Sequence, residues 1–388
     1  MNHWKETAEV LARLDELAAA GRRAALATVV RISGSAYRRP GAKLLVEEGG
    51  GTLGSVSGGC LEADVREVAQ DVVASGRPSL RHYSTGSDED VVWGLGMGCN
   101  GLVDVLVQPA TAGPLAALVP RLRELLAGDA AFALLTLVEE GDDLGAMLLV
   151  EPDGTLRGSL APLEEIEGQA LLSAPRSGVQ QLGARPAIRG TDNAPSVDWS
   201  PARKDSRLGG RAVFVEALAP PPHLLVCGAG DDAIPLVAYA ADAGFRVTVA
   251  DHRPALLAPA RFPRAARLVL ARPEEAAAAA ALPPAARTLA VVKTHSLAHD
   301  REWVRRLLGA GLAYVGVLGP RERTRGILRD IGAEGARGAE RVFGPVGLDL
   351  GADGPWQVAT SIVAELLAFA AGREPRHLAL REEAIHSA

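Results

Sequence analysis

Two of the chain's three cysteines stand where a thiol can do chemistry. Cys60 closes the run Gly54-Ser55-Val56-Ser57-Gly58-Gly59-Cys60, directly after a glycine pair. It also stands at the start of a helix predicted over 61–74 from the spacing of Val65, Val68, Ala69, Val72 and Val73. A helix N-terminus favours thiolate over thiol, and glycine lets backbone approach a ligand closely. Cys99 lies in a second glycine-rich run, Gly94-Leu95-Gly96-Met97-Gly98-Cys99-Asn100-Gly101. Lining one pocket with Gly58 and Gly59, the two thiols would suit a soft metal or a sulfur-bearing ligand. Apart, each reads equally as a small buried hydrophobe. No metal site is expected, because no CxxC pair occurs and the eight histidines are scattered.

A second constellation begins at Gly228-Ala229-Gly230-Asp231-Asp232-Ala233, between a strand predicted over 224–227 and a helix over 235–243. In that setting Gly228 permits a tight turn, Gly230 lets backbone approach a pyrophosphate, and the helix offers unpaired N–H groups. Asp251, 21 residues after Gly230, ends the next strand, where a carboxylate can bond a ribose hydroxyl and prefer NAD over NADP. Asp231 and Asp232 suit the helix dipole but oppose a bound phosphate, so a turn that has lost its nucleotide is the competing reading. His295 follows a strand over 288–292, at the end where ligands bind in open α/β sheets, and is the candidate general acid/base or ligand. Asp300 is expected to cap the next helix, which is placed near Glu302. Gly319 and Arg321, in Gly316-Val317-Leu318-Gly319-Pro320-Arg321, repeat the strand-turn-helix pattern and offer a guanidinium for phosphate.

The elements that must position these groups fall into two blocks. The first mixes a helix over 5–20 with strands over 24–32, 43–46, 52–56, 102–107, 132–138 and 146–150. Residues 174–210, rich in Gly, Pro, Ser and Asp, read as an irregular insertion, and a strand over 212–217 closes a domain spanning 1–219. Pro220-Pro221-Pro222 makes a stiff linker. From 221 to 372 strand and helix alternate, which implies a doubly wound parallel sheet, and 373–388 is a polar tail. The fold class is α/β: an N-terminal mixed α/β domain plus a C-terminal Rossmann-like domain.

Composition narrows the partners. A net charge of −6 disfavours nucleic acid, which demands a clustered basic surface. No apolar run approaches the roughly 18 residues of a membrane span, and the start Met1-Asn2-His3-Trp4-Lys5-Glu6 lacks a secretory pattern, so the cytoplasm is expected.

Taken together these strings resemble the XdhC/CoxI family of xanthine dehydrogenase and carbon monoxide dehydrogenase accessory proteins. The resemblance rests on Gly34-Ser35-Ala36-Tyr37-Arg38-Arg39-Pro40-Gly41-Ala42-Lys43, residues 54–62, and the second cysteine loop from Gly98-Cys99 to Val107. In the Rossmann half it rests on Gly228-Ala229-Gly230, Thr294-His295 and the run from Gly344-Pro345 to Gly351. The resemblance implies an accessory protein that binds molybdenum cofactor, assists its sulfuration and inserts it into a xanthine dehydrogenase-type hydroxylase. It implies the apo-hydroxylase and a cysteine desulfurase as partners, and a homo-oligomer. NAD is a second candidate ligand. The alternatives are an NAD-dependent oxidoreductase using His295 and a dinucleotide-sensing regulatory protein.

Overall fold

A computed structural model describes residues 2–34, 37–84, 101–160, 177–181, 186–189, 196–199, 211–275, 285–333 and 338–380. Two compact units divide the chain, formed chiefly by His3–Pro220 and by Pro221–His377.

Among the described residues the first unit holds two five-stranded sheets and a two-stranded one. One has the order β3-β2-β1-β5-β4, from β1 (Ala24–Gly34), β2 (Lys43–Glu47), β3 (Thr52–Gly54), β4 (Ser79–Ser84) and β5 (Gly101–Pro109), every neighbouring pair antiparallel. Side chains alternate across a strand, so Ala25, Ala27 and Val29 face one way while Leu26 faces the other. The first set buries Val65, Val68, Ala69, Val72 and Val73 of the helix Glu62–Ser75, whose five apolar positions recur at helical spacing. Each valine among them contributes about 1.5–3 kcal/mol when fully buried. Gly76, at φ 69°, ends that helix in the left-handed conformation that costs glycine least. Leu26 and Leu45 meet the helices Asn2–Ala19 and Gly113–Ala127 on the other face.

Those two helices also cover Phe132, Leu134, Met147, Leu149 and Leu218 of the second sheet. Its order is β8-β7-β6-β12-β9, from β6 (Phe132–Leu137), β7 (Met147–Val150), β8 (Leu156–Gly158), β9 (Gly178–Gln181) and β12 (Ala212–Leu218). Strand β9 corrects the expectation of an irregular insertion: it pairs antiparallel with β12, and β10 (Pro186–Arg189) pairs with β11 (Ser196–Trp199). Turn-forming residues around four-residue strands hid the pattern, because so short a strand carries barely two periods of alternation.

In the second unit β13 (His223–Cys227), β14 (Arg246–Asp251), β15 (Arg267–Leu270), β16 (Thr288–Val292), β17 (Tyr314–Val317) and β18 (Val342–Phe343) form a wholly parallel sheet. Its order, β15-β14-β13-β16-β17-β18, is that of the Rossmann fold. Both faces are covered, as a parallel sheet requires. Leu224 and Val226 pack with the helices Ala233–Asp242 and Pro355–Ala370, while Leu225 and Cys227 pack with Trp303, Leu307 and Ile327 on the other side. The chain order reverses between β13 and β16, which opens a crevice at their carboxyl ends.

Candidate functional site

The crevice floor is the Gly228 turn. Gly228 has φ 121°, and a Cβ there would lie 2.5 Å from the Lys293 carbonyl oxygen, so the turn can approach β16 only as glycine. Asp232 follows at the head of the helix Ala233–Asp242. Its Oδ2 lies 3.1 Å from Lys293 Nζ and 3.1 Å from His295 Nε2, and Lys293 Nζ also donates to the Asp232 carbonyl at 2.6 Å. Burial lowers the Lys293 pKa, an effect that Asp232 partly offsets. Among the described residues His295 is the one non-glycine with positive φ, at 61°. Such a conformation costs about 1–3 kcal/mol and clusters at ligand sites. Asp232 and Lys293 also line a pocket with Leu236, Leu318, Val358 and Ile362.

Asp251 is spent elsewhere. Its oxygens accept from Ala229 N (2.7 Å), Arg253 N (2.9 Å), Arg253 Nε (2.9 Å) and Arg253 Nη2 (2.8 Å). An ionised carboxylate offers about four acceptor directions, so none is left for a ribose hydroxyl. Burial pushes its pKa up, but the Arg253 guanidinium and the N–H groups of Ala229 and Arg253 outweigh that and hold it at about 2. The carboxylate that sequence position assigned to a nucleotide therefore fastens the glycine turn to β14. Asp231, exposed, pairs with Arg261 at 2.6 Å.

Behind His295, Asp300 accepts from Thr294 N (3.1 Å) and Thr294 Oγ1 (2.5 Å), and Arg323 Nη2 reaches its other oxygen at 2.5 Å. This corrects the capping role expected of Asp300: the helix Leu297–Gly309 starts earlier than expected and its cap is Ser296, which accepts from His299 N. Asp300 instead braces the Thr294-His295 turn. Arg321 stands exposed at the start of the helix Arg321–Asp330, and the structural guanidinium is that of Arg323. Gly319, at φ 128°, leaves room for it, since a Cβ would meet Arg323 Cδ at 2.7 Å.

In the first unit the Cys60 thiol is exposed. Its loop is held from below: Glu62 Oε1 accepts from Ser57 N (2.9 Å) and Ser55 Oγ (3.0 Å), and the Ser57 hydroxyl bonds the other carboxylate oxygen. Burial raises the Glu62 pKa, but these serine donors outweigh it and leave the carboxyl below its ordinary value. Ser57 Oγ then accepts from Gly59 N and Leu61 N, both at 3.1 Å. Gly59 has φ 117°, and a Cβ on Gly58 would stand 3.6 Å from the Tyr37 ring. Runs 37–43 and 54–62 thus meet, with Ser55 N donating to Lys43 O at 2.8 Å. Cys99 and residues 94–100 lie outside the described residues. The third cysteine, Cys227, is buried at the end of β13, and burial pushes its thiol pKa well up.

A Bacillus subtilis protein described as a probable xanthine dehydrogenase subunit is 31% identical to this chain over 354 residues, covering 91% of the chain and 95% of that protein. A model described as the XdhC and CoxI family matches residues 17–84, and one described as the XdhC Rossmann domain matches 224–366. The chain belongs to the XdhC and CoxI family. A shorter likeness, 38% identity over 105 residues, covers 27% of this chain and 32% of the molybdenum cofactor insertion chaperone PaoD of Escherichia coli. A solved structure from Bacillus halodurans, described as a xanthine dehydrogenase, superposes with a TM-score of 0.73 at 27% identity, covering 96% of this chain and 98% of that one.

The structure brings Gly228, Gly230 and His295 together, joins them to Asp232 and adds Lys293, which sequence reasoning passed over. A signal was present: Lys293 is one of four lysines among 41 basic residues, and it directly follows a run of buried strand residues. Among the described residues no helix is long and apolar enough to cross a membrane.

Proposed function

We propose that this chain binds the molybdenum cofactor, assists its sulfuration and inserts it into a xanthine dehydrogenase-type apo-hydroxylase in the cytoplasm. The observation that carries this reading is the exposed Cys60 thiol on a glycine loop made rigid by Glu62 and flanked by Tyr37. Family membership and the likeness to a named cofactor insertion chaperone support it.

The residues fit such a cargo. A soft thiolate suits a molybdenum-sulfur centre, while Gly58 and Gly59 leave their backbone open to a flat pterin beside the Tyr37 ring. When bound, the cofactor would supply the molybdenum-dithiolene chemistry of the target enzyme. Cys60, with Cys99 as the proposed second thiol, would hold it while a cysteine desulfurase supplies the sulfur for its sulfuration. Handover from a homo-oligomer to the apo-hydroxylase would follow. Such a role needs binding and partner surfaces rather than turnover. An NAD-dependent oxidoreductase or a dinucleotide sensor would need a ribose acceptor, and all four acceptor directions of Asp251 are taken.

Cys60→Ser and Cys99→Ser, made in chain co-expressed with a cofactor pathway, should keep the wild-type melting temperature while retaining several-fold less molybdenum and supporting less hydroxylase maturation. Folded variants with undiminished molybdenum and maturation would refute the reading.

A further inference from the structure

We propose that the crevice between β13 and β16 is a second ligand site, and that Asp232 has inverted its charge preference. It takes a neutral planar heterocycle through a ring N–H and excludes the phosphates that its topology would otherwise attract. The proposal stands apart from the Cys60 reading and concerns the other unit.

Three observations carry it. The first is occupancy of the anion position. The head of the helix Ala233–Asp242, facing a lysine and a histidine, is where a phosphate would sit, and the Asp232 carboxylate already lies there, 3.1 Å from both Lys293 Nζ and His295 Nε2. A second anion would face this carboxylate, while a cation would face the buried Lys293 ammonium, so the balanced pair favours a neutral ligand.

The second observation is the acceptor left over. Oδ2 serves both Lys293 and His295, whereas Oδ1 takes no hydrogen bond among the described residues. A Cβ on Gly230 would come within 2.8 Å of Oδ1, so the glycine itself keeps that oxygen open. One free carboxylate oxygen asks for an N–H donor.

The third is shape. Beside Asp232 and Lys293 the pocket wall is made by Leu236, Leu318, Val358 and Ile362, apolar surface suited to a ring and unsuited to a hydrated phosphate.

The test titrates the full chain with pterin (2-amino-4-oxopteridine), inorganic pyrophosphate and NADH by calorimetry. Wild type is expected to bind pterin saturably and to show no pyrophosphate or NADH binding. Asp232→Ala should lose at least tenfold in pterin affinity and gain pyrophosphate binding, and adding Lys293→Met should abolish the gain. Circular dichroism establishes folding, and Asp232→Asn, which keeps the shape but lowers the charge, replaces Asp232→Ala if that variant fails to fold. The proposal is overturned by wild-type pyrophosphate or NADH binding equal to that of Asp232→Ala, by absence of pterin binding, or by pterin affinity indifferent to Asp232. Loss of pterin binding in Cys60→Ser alone would place the ligand at the cysteine loop, overturning this proposal while supporting the other.

Discussion

Lys43 and Lys293 are both buried, one in each unit, yet they are held in different ways. Lys43 bonds the Glu216 carboxylate on β12 and the Gly41 carbonyl at 3.0 Å, and Glu216 is as buried as the lysine. Nothing in that pair reaches solvent, so its role is to pin the first sheet's β2 to the second sheet's β12. Lys293 bonds Asp232, whose side chain is 26% exposed and shared with a strained histidine beside a pocket. A closed pair of this kind fixes architecture, whereas an open one can exchange a partner with a ligand. Burial of a lysine alone does not distinguish the two; the exposure of its acid does.

The largest effect should come from breaking the closed pair. Lys43→Met leaves the Glu216 carboxylate buried and alone, which costs about 3–5 kcal/mol. Urea unfolding followed through the first unit should show this loss, and Lys43→Met with Glu216→Leu should restore most of it. A double variant as unstable as the single one would mean that packing, not charge, holds the sheets there.

A smaller effect is expected at Asp251. Its folded pKa is depressed from 3.8 to about 2, so its stabilisation is present above pH about 4 and is lost as pH falls toward 2. The shift corresponds to about 2 kcal/mol. Unfolding free energies measured from pH 5 to pH 2 should fall less steeply in Asp251→Asn than in wild type, and parallel slopes would show that the carboxylate is not what ties the glycine turn to β14.

The smallest effect belongs to the open pair. Lys293→Met should cost only about 1 kcal/mol, because the Asp232 it abandons can reach water. Its pH dependence has the same sign as that of Asp251, since both folded pKa values are depressed, but it lies in the alkaline range. A lysine whose folded pKa is depressed penalises the fold while protonated, so wild-type stability should rise as alkaline pH removes that proton, and the variant should lack the rise. A loss as large as that of Lys43→Met would erase the distinction between the two lysines.

Much of the second unit was legible beforehand because strand and helix periodicities are local. The alternation from 221 onward foretold the parallel sheet, and the Gly228 turn was readable from its place between strand and helix. The first unit was less so: β4, β8 and β9 are short or half-exposed, and an antiparallel sheet takes its neighbours from distant parts of the chain. Cys60 was legible as a thiol after paired glycines, but not Glu62 as the anchor of its loop.

What the sequence alone determined was therefore residue type and local order: a thiol on a glycine loop, a glycine turn before a helix, an acid at the end of the second Rossmann strand. Tertiary structure decided who those groups face. Asp251 had the right spacing for a ribose, yet Arg253 and the Ala229 N–H occupy its lone pairs. Asp232 looked like mere repulsion at a helix head, and became the centre of a cluster only when β16 brought Lys293 and His295 beside it from about sixty residues away. A hydrogen bond depends on distance and direction in space, and one-dimensional spacing carries neither.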